Sequence, residues 1–246
     1  MKKFGIIGNP LGHSFSPGYF NEKFGNEGID AVYEKYALQS ITDLQAVIDY
    51  TPDLCGFNVT IPYKEKVMTY LDNISPEARA IGAVNVVKVT EKDGKKYLVG
   101  YNSDVIGFTR SIQPLIEPHH TKALVLGTGG ASKAVVYALY KMGIETLLVS
   151  RYKKDNTIQY EQIDEELLKE YTVVVNSTPC GMAPHFDECP PLPYQFLTSR
   201  HLLFDLIYNP DETLFLKKGR EQGAVTKNGL EMLLLQAEGA WEIWNS

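Results

Sequence analysis

Cysteine is scarce: the 246 residues contain three, Cys55, Cys180 and Cys189, an odd number without C-x-x-C spacing. That pattern supports neither a disulfide framework nor a zinc site, and it points to a reducing cytoplasm. Long apolar runs are missing too. After Met1-Lys2-Lys3 the chain offers only "FGIIG" before Asn9-Pro10, too short for a secretory leader, and no run approaches a membrane span. There is no basic block: 24 Lys and Arg stand against 30 Asp and Glu, a net charge of −6, which argues against nucleic-acid and membrane partners. Internal repeats and low-complexity tracts are absent as well. What remains is 44% hydrophobic and 22% charged, enough to build a core in one large domain or two modest ones.

The first hundred residues alternate strand and helix signals. "KFGIIG" reads as a buried strand and Pro17 onward as a helix ending near Gly28. "AVYEKYAL" reads as a strand and "ITDLQAVIDY" as a helix, then "LCGFNVT" as a strand and "YKEKVMTYLD" as a helix. "GAVNVVKV" and "YLVGY" are strands joined by "EKDGKK". Such alternation predicts a mostly parallel sheet covered by helices. "KALVLG", "ASKAVVYALYKMG" and "ETLLVS" then form a strand–helix–strand unit. "TVVVNS" and "HLLFDLI" follow as strands, with a proline-rich loop over 184–200 between them, and "NGLEMLLLQAEGAWEIW" as a helix. Two α/β domains with a cleft between them is the expected architecture.

In "LVLGTGGASKAVVYAL", Gly127, Gly129 and Gly130 lie between a strand and a helix, where backbone N–H groups can approach a pyrophosphate. Ser132 stands where the usual third glycine would be, and such a loop can also bind nothing. A NAD site wants an acidic residue after the second strand. Here that place reads "SRYKK", with Ser150, Arg151 and Lys154. A cationic end suits the 2′-phosphate of NADP, although it is also what a solvated basic turn looks like.

The polar stretches pose the same choice between ligand and turn. "GNPLGHSFSP" places Ser14, Ser16 and His13 after a strand; Ser16 could cap the helix beginning at Pro17, or could hold a ligand. "NVTIPYK" gives Thr60 and Lys64, the lysine sitting unfavourably at an expected helix N-terminus. "GAVN" gives Asn85, and "GYNSD" gives Asn102 and Asp104. Together with "GTGGAS", "VVNSTPCGM", "DLIYNPDETLFL" and "NGLEMLLLQA", these stretches follow one another in the order found in shikimate dehydrogenases, and the chain resembles that family over nearly its whole length.

The resemblance implies an N-terminal substrate-binding domain over 1–103 and a Rossmann-like NADP-binding domain over 104–228. It also implies a helix over about 229–246 packing back onto the first. By the same resemblance, Ser14 and Ser16 hold the substrate carboxylate. Thr60, Asn85, Asp104 and Gln236 bind ring hydroxyls, Tyr208 makes another substrate contact, and Lys64 is the catalytic acid–base with Asp104 beside it. Gly127, Thr128, Gly129, Gly130, Ala131, Ser150, Arg151, Lys154, Leu206 and Gly229 match cofactor contacts. His13 reads as a structural hydrogen-bonder, and no metal is implied. The implied activity is reversible NADPH-dependent reduction of 3-dehydroshikimate to shikimate, in aromatic amino acid biosynthesis, by a cytoplasmic monomer or homodimer. Three departures stand out: Ser103 and Val105 in "NSDV" replace a threonine and a glycine, "SRYKK" replaces Asn-Arg-Thr, and the chain is short around 152–165. A quinate/shikimate dehydrogenase using NAD, a methyltransferase and a non-catalytic nucleotide sensor are the alternatives. Arg151 speaks against a methyl-donor site, which generally wants an acid there.

Overall fold

In the computed structural model, which describes residues 1–12 and 14–246, the chain divides into two units: Met1–Ser103 with Ala237–Ser246, and Asp104–Gln236. The first unit runs β1 (Lys2–Gly8), α1 (Ser16–Glu27), β2 (Ala31–Ala37), α2 (Leu44–Tyr50), β3 (Leu54–Val59), β4 (Asn73–Ile74), α3 (Pro76–Ile81), β5 (Val86–Lys92) and β6 (Lys95–Tyr101). Pro17 occupies the first turn of α1, where its missing N–H costs nothing. Gly28, at φ +64°, ends that helix in the left-handed conformation that glycine adopts without strain.

The sheet order is β2-β1-β3-β5-β6-β4. β1 is parallel to both neighbours and β4 to β6, but β5 runs antiparallel to β3 and β6. Three of the five pairings are thus parallel, as the alternation predicts, and β5 alone makes the sheet mixed. For β5 and β6 the reason is local: Asp93 and Gly94, at φ 53° and 72°, close a two-residue turn that joins only antiparallel neighbours. The segment "YKEKVMTYLD" departs from expectation. It forms a five-residue 3-10 turn, Lys66–Tyr70, with only Val67 fully buried, because one anchoring residue does not sustain an α-helical face.

The sheet of this unit is covered on both faces. Leu44, Ile48, Phe57, Val59 and Val67 pack in one cluster; Phe4, Phe20, Phe24, Tyr33 and Trp244 pack in the other. Burying a side chain of this size contributes about 1.5–3 kcal/mol. Gly56 makes room for the C-terminal segment: a Cβ there would lie 2.4 Å from Trp244 Nε1, and that nitrogen donates to the Val87 carbonyl at 3.0 Å.

The second unit runs α4 (Asp104–Ile112), β7 (Lys122–Leu126), α5 (Gly130–Lys141), β8 (Glu145–Val149), β9 (Thr157–Ile158) and α6 (Glu165–Glu170). It continues through β10 (Val173–Asn176), β11 (Leu202–Asp205), α7 (Leu214–Glu221) and β12 (Val225–Lys227) into α8 (Leu230–Asn245). Its sheet, ordered β12-β11-β10-β7-β8-β9, is parallel throughout. The central strands read as unbroken apolar runs because both faces are covered. Val173, Val174 and Val175, like Leu124 and Leu126, are fully buried.

Candidate functional site

In the first unit, the polar residues gather where the parallel strands β1 and β3 end, the place where open α/β sheets bind ligands. Ile7 pairs with Val59 in register, Thr60 N donates to Ile7 O at 3.0 Å, and Asn9 N donates to Ile61 O at 3.0 Å. These bonds tie the segment leading to Ser14 and Ser16 to the turn carrying Thr60 and Lys64. Gly8 permits the approach: a Cβ there would lie 2.4 Å from the Thr60 methyl. Tyr63 pins the same turn from below by donating to Leu38 O at 2.8 Å, and the Lys64 carbonyl accepts from Val84 N at 2.8 Å. Lys64 thus sits on a turn braced on two sides, half-buried, and not at an α-helix N-terminus.

Ser16 is the first residue of α1 and makes no capping bond, so the capping role open in the sequence is not used. Tyr33 is completely buried, which raises the pKa of its hydroxyl. That hydroxyl donates to Asn58 Oδ1 at 2.7 Å, and Asn58 Nδ2 donates to Asn85 O at 3.2 Å. Asn85 is held by Ser103: its Nδ2 donates to Ser103 Oγ at 3.1 Å, and Ser103 N donates to its Oδ1 at 2.7 Å. The hydroxyl that Ser103 keeps from the family's threonine therefore has a partner. Sequence reasoning missed Tyr33 as part of this network. A polar Asn58 inside a buried strand was the available signal, since a buried amide needs a partner.

The second unit builds its own constellation around the turn after β7. Gly127, at φ +109°, lies so close to the next strand that a Cβ would stand 2.9 Å from Ser177 Oγ. Gly129 precedes α5, and a Cβ there would meet nothing within 4 Å, leaving the helix N-terminus open to an anion. Ser132, in place of the third glycine, closes the turn: its Oγ accepts from Gly129 N at 3.1 Å and lies 2.8 Å from Ser177 Oγ. Because Ser177 spends its proton on Leu126 O at 2.6 Å, Ser132 is the donor between the two serines.

The end of β8 folds toward this turn. Ser150 Oγ accepts from Tyr152 N at 3.3 Å, and Lys154 Nζ donates to Thr128 Oγ1 at 2.8 Å. The two cofactor stretches expected from the sequence, 127–131 and 150–154, are thus joined side chain to side chain. Leu206 and Gly229 also meet: a Cβ on Gly229 would lie 2.2 Å from Leu206 O, and Gly229 N donates to Ile207 O at 3.0 Å. Below them, burial pushes Asp205 up to about 6 against the pull of Thr213, Ile207 N and Asn176, which all donate to it.

Asp104 opens α4, buried, and Gln236 lies on α8 with its Nε2 donating to Leu233 O at 2.9 Å. Gly107 lets the two helices touch, since a Cβ there would lie 2.5 Å from Met232 O. Tyr208 is 36% exposed after β11. Ser14, Ser16, Thr60, Lys64 and Asn85 therefore belong to the first unit; Asp104, Tyr208, Gln236 and the cofactor set belong to the second. His13 lies outside the described residues. Among the described residues, no group of three or more His, Cys, Asp or Glu could hold a metal, and no helix is long and apolar enough to cross a membrane.

Residues 6–87 match the model of the shikimate dehydrogenase substrate-binding domain. A shikimate dehydrogenase (NADP(+)) of Caldicellulosiruptor saccharolyticus is 36% identical over 261 residues, covering 99% of this chain and 92% of that one. The crystal structure of the Thermus thermophilus shikimate 5-dehydrogenase in complex with NADP(H) and shikimate superposes with a TM-score of 0.85 at 30% identity, covering 99% and 93% of the two chains. The Listeria monocytogenes enzyme, in complex with shikimate and NAD, gives 0.88 at 29% identity, covering 100% and 92%. With relatives of this identity matched from end to end, the chain belongs to the shikimate dehydrogenase family.

Proposed function

We infer that this protein catalyses the reversible, NADP-linked interconversion of 3-dehydroshikimate and shikimate. The observation that carries the reading is the bonding of the end of β1 to the turn carrying Thr60 and Lys64, through Thr60 N to Ile7 O and Asn9 N to Ile61 O. It supports reading Ser14, Ser16, Thr60 and Lys64 as the substrate edge of one unit, which we assign as the substrate domain. The second unit is assigned to the dinucleotide.

The donor set there suits NADP. The open N-terminus of α5 accommodates a pyrophosphate, and Arg151 and Lys154 suit a 2′-phosphate, Arg through two parallel N–H bonds. When bound, NADPH supplies a hydride to the ketone carbon. Lys64 delivers a proton to the carbonyl oxygen as negative charge gathers on it, and takes that proton back in the oxidative direction. Ser14 and Ser16 hold the carboxylate, and Thr60, Asn85, Asp104 and Gln236 fix the ring hydroxyls so that the reacting carbon is oriented. Tyr208 adds a further contact. With all three cysteines unpaired, the compartment that fits is the reducing cytoplasm.

Because one relative binds shikimate with NAD, the test uses four pairs: shikimate and quinate, each with NADP and NAD. Fastest turnover with shikimate and NADP is expected, together with NADPH oxidation on adding 3-dehydroshikimate. Preference for NAD or quinate would replace the reading with the quinate/shikimate alternative. Cofactor binding without turnover on any pair would make the protein a sensor.

A further inference from the structure

Tyr152 does no work in the fold. It is 72% exposed, on a loop so short that β9 begins again at Thr157. Exposure of one aromatic is ordinary. The placement of this one is specific.

Its backbone is set by Ser150, whose hydroxyl accepts from Tyr152 N, and β8 and β9 hold the loop at both ends through Ser150 N donating to Ile158 O at 2.9 Å. Lys154, two residues on, ties the loop to Thr128 in the glycine turn. The Arg151 guanidinium lies over the Tyr152 ring, 5.9 Å from its centre, so the cation backs one face of the ring while the exposed side chain offers the other.

We propose that Tyr152 is the platform for the adenine base of the cofactor, its ring stacking on the base while Arg151 and Lys154 meet the adjacent 2′-phosphate. This inference rests on the NADP reading above. A base has an apolar, polarisable face, and stacking on a tyrosine removes both rings from water without requiring a hydrogen-bond match. The interaction belongs to the adenine end of the cofactor, so it changes how tightly the dinucleotide is held and not the chemistry at the ketone.

Isothermal titration with adenosine 2′,5′-bisphosphate tests this, because the probe carries adenine and the 2′-phosphate but no nicotinamide. Tyr152→Ala should weaken it about tenfold, the scale of one lost base–aromatic stack, and Tyr152→Phe should bind as wild type does. Melting curves should superpose, since the side chain is exposed. Equal affinity in wild type and Tyr152→Ala overturns the inference and leaves the NADP reading standing. Loss in Tyr152→Phe equal to that in Tyr152→Ala also overturns it, because the hydroxyl and not the ring would then be the contact. A wild-type protein that does not bind the probe overturns the NADP reading itself, and this inference with it.

Discussion

Gly107 lies against Gln236: a Cβ on the glycine would stand 2.9 Å from both the backbone nitrogen and the Cβ of Gln236. The helix that begins with Asp104 and the helix that carries Gln236 therefore touch backbone to backbone, and no other residue fits at 107. Gly107→Ala is expected to destabilise the protein by about 1–3 kcal/mol, the usual cost of forcing a methyl group into a packed contact. It should also raise the KM for shikimate more than it changes cofactor affinity, because both displaced residues are assigned to the substrate. Thermal melts with steady-state kinetics decide the matter, and an alanine variant as stable and active as wild type would show that the helices can separate freely.

Ser14 and Ser16 are expected to act on substrate binding alone. Hydrogen bonds to a charged group contribute about 1.5–3 kcal/mol each, so Ser14→Ala or Ser16→Ala should raise the KM for shikimate roughly ten- to a hundredfold. NADPH affinity should not move. Since Ser16 does not cap α1, the Tm of Ser16→Ala should fall little. A large loss of Tm with an unchanged KM would return Ser16 to a structural role.

Two buried groups give stability opposite dependences on pH. Asp205 has its pKa raised from 3.8 to about 6 by burial, so its contribution is full below the unfolded value and is lost as pH rises through 6. In His201, Nδ1 accepts from Thr198 N at 3.0 Å while Nε2 faces Leu168 O at 2.9 Å, an arrangement only the neutral ring can make. Its pKa is lowered, chiefly by burial, so its contribution is full above about 6.5 and is lost as pH falls. Asp205→Asn removes the first effect only. Between pH 4 and 7 the variant should gain about 2–3 kcal/mol relative to wild type, read from urea midpoints at the two ends. A constant difference across that range would show that Asp205 titrates normally.

What the sequence made legible was local. β1, the turn at Gly127 and the end of α1 at Gly28 each follow from a few neighbouring residues, and each is where the pattern puts it. α3 and α6 are only six residues long, with one and two large apolar side chains. They owe their starts to Ser75 accepting from Ala78 N and Asp164 accepting from Leu167 N, caps too brief to register as periodicity. The network from Tyr33 through Asn58 to Asn85 and Ser103 was not legible, since its links join residues 18 or more apart that only the sheet brings together. Ser132 taught the same lesson at short range. Its departure from glycine weakens the motif on paper, yet its hydroxyl closes the turn.

Cofactor choice is expected to turn on Arg151. Arg151→Asp replaces attraction by repulsion at a 2′-phosphate, so the Kd for NADPH should rise far more than that for NADH. Fluorescence titration with each cofactor measures this directly. A wild-type protein that already prefers NADH would contradict the assignment of the "SRYKK" loop.

The central claim is that Lys64 moves the proton. A positioned acid–base group contributes typically 10²–10⁴-fold, so Lys64→Ala should lower kcat by about that factor while the Kd for shikimate stays near wild type. Circular dichroism and NADPH titration establish that the variant is folded and cofactor-competent. The deciding measurement is single-turnover reduction of 3-dehydroshikimate by NADPH with Lys64→Ala beside wild type. A hydride-transfer rate lowered at least a hundredfold with substrate affinity retained is the predicted result; a rate near wild type would contradict the account.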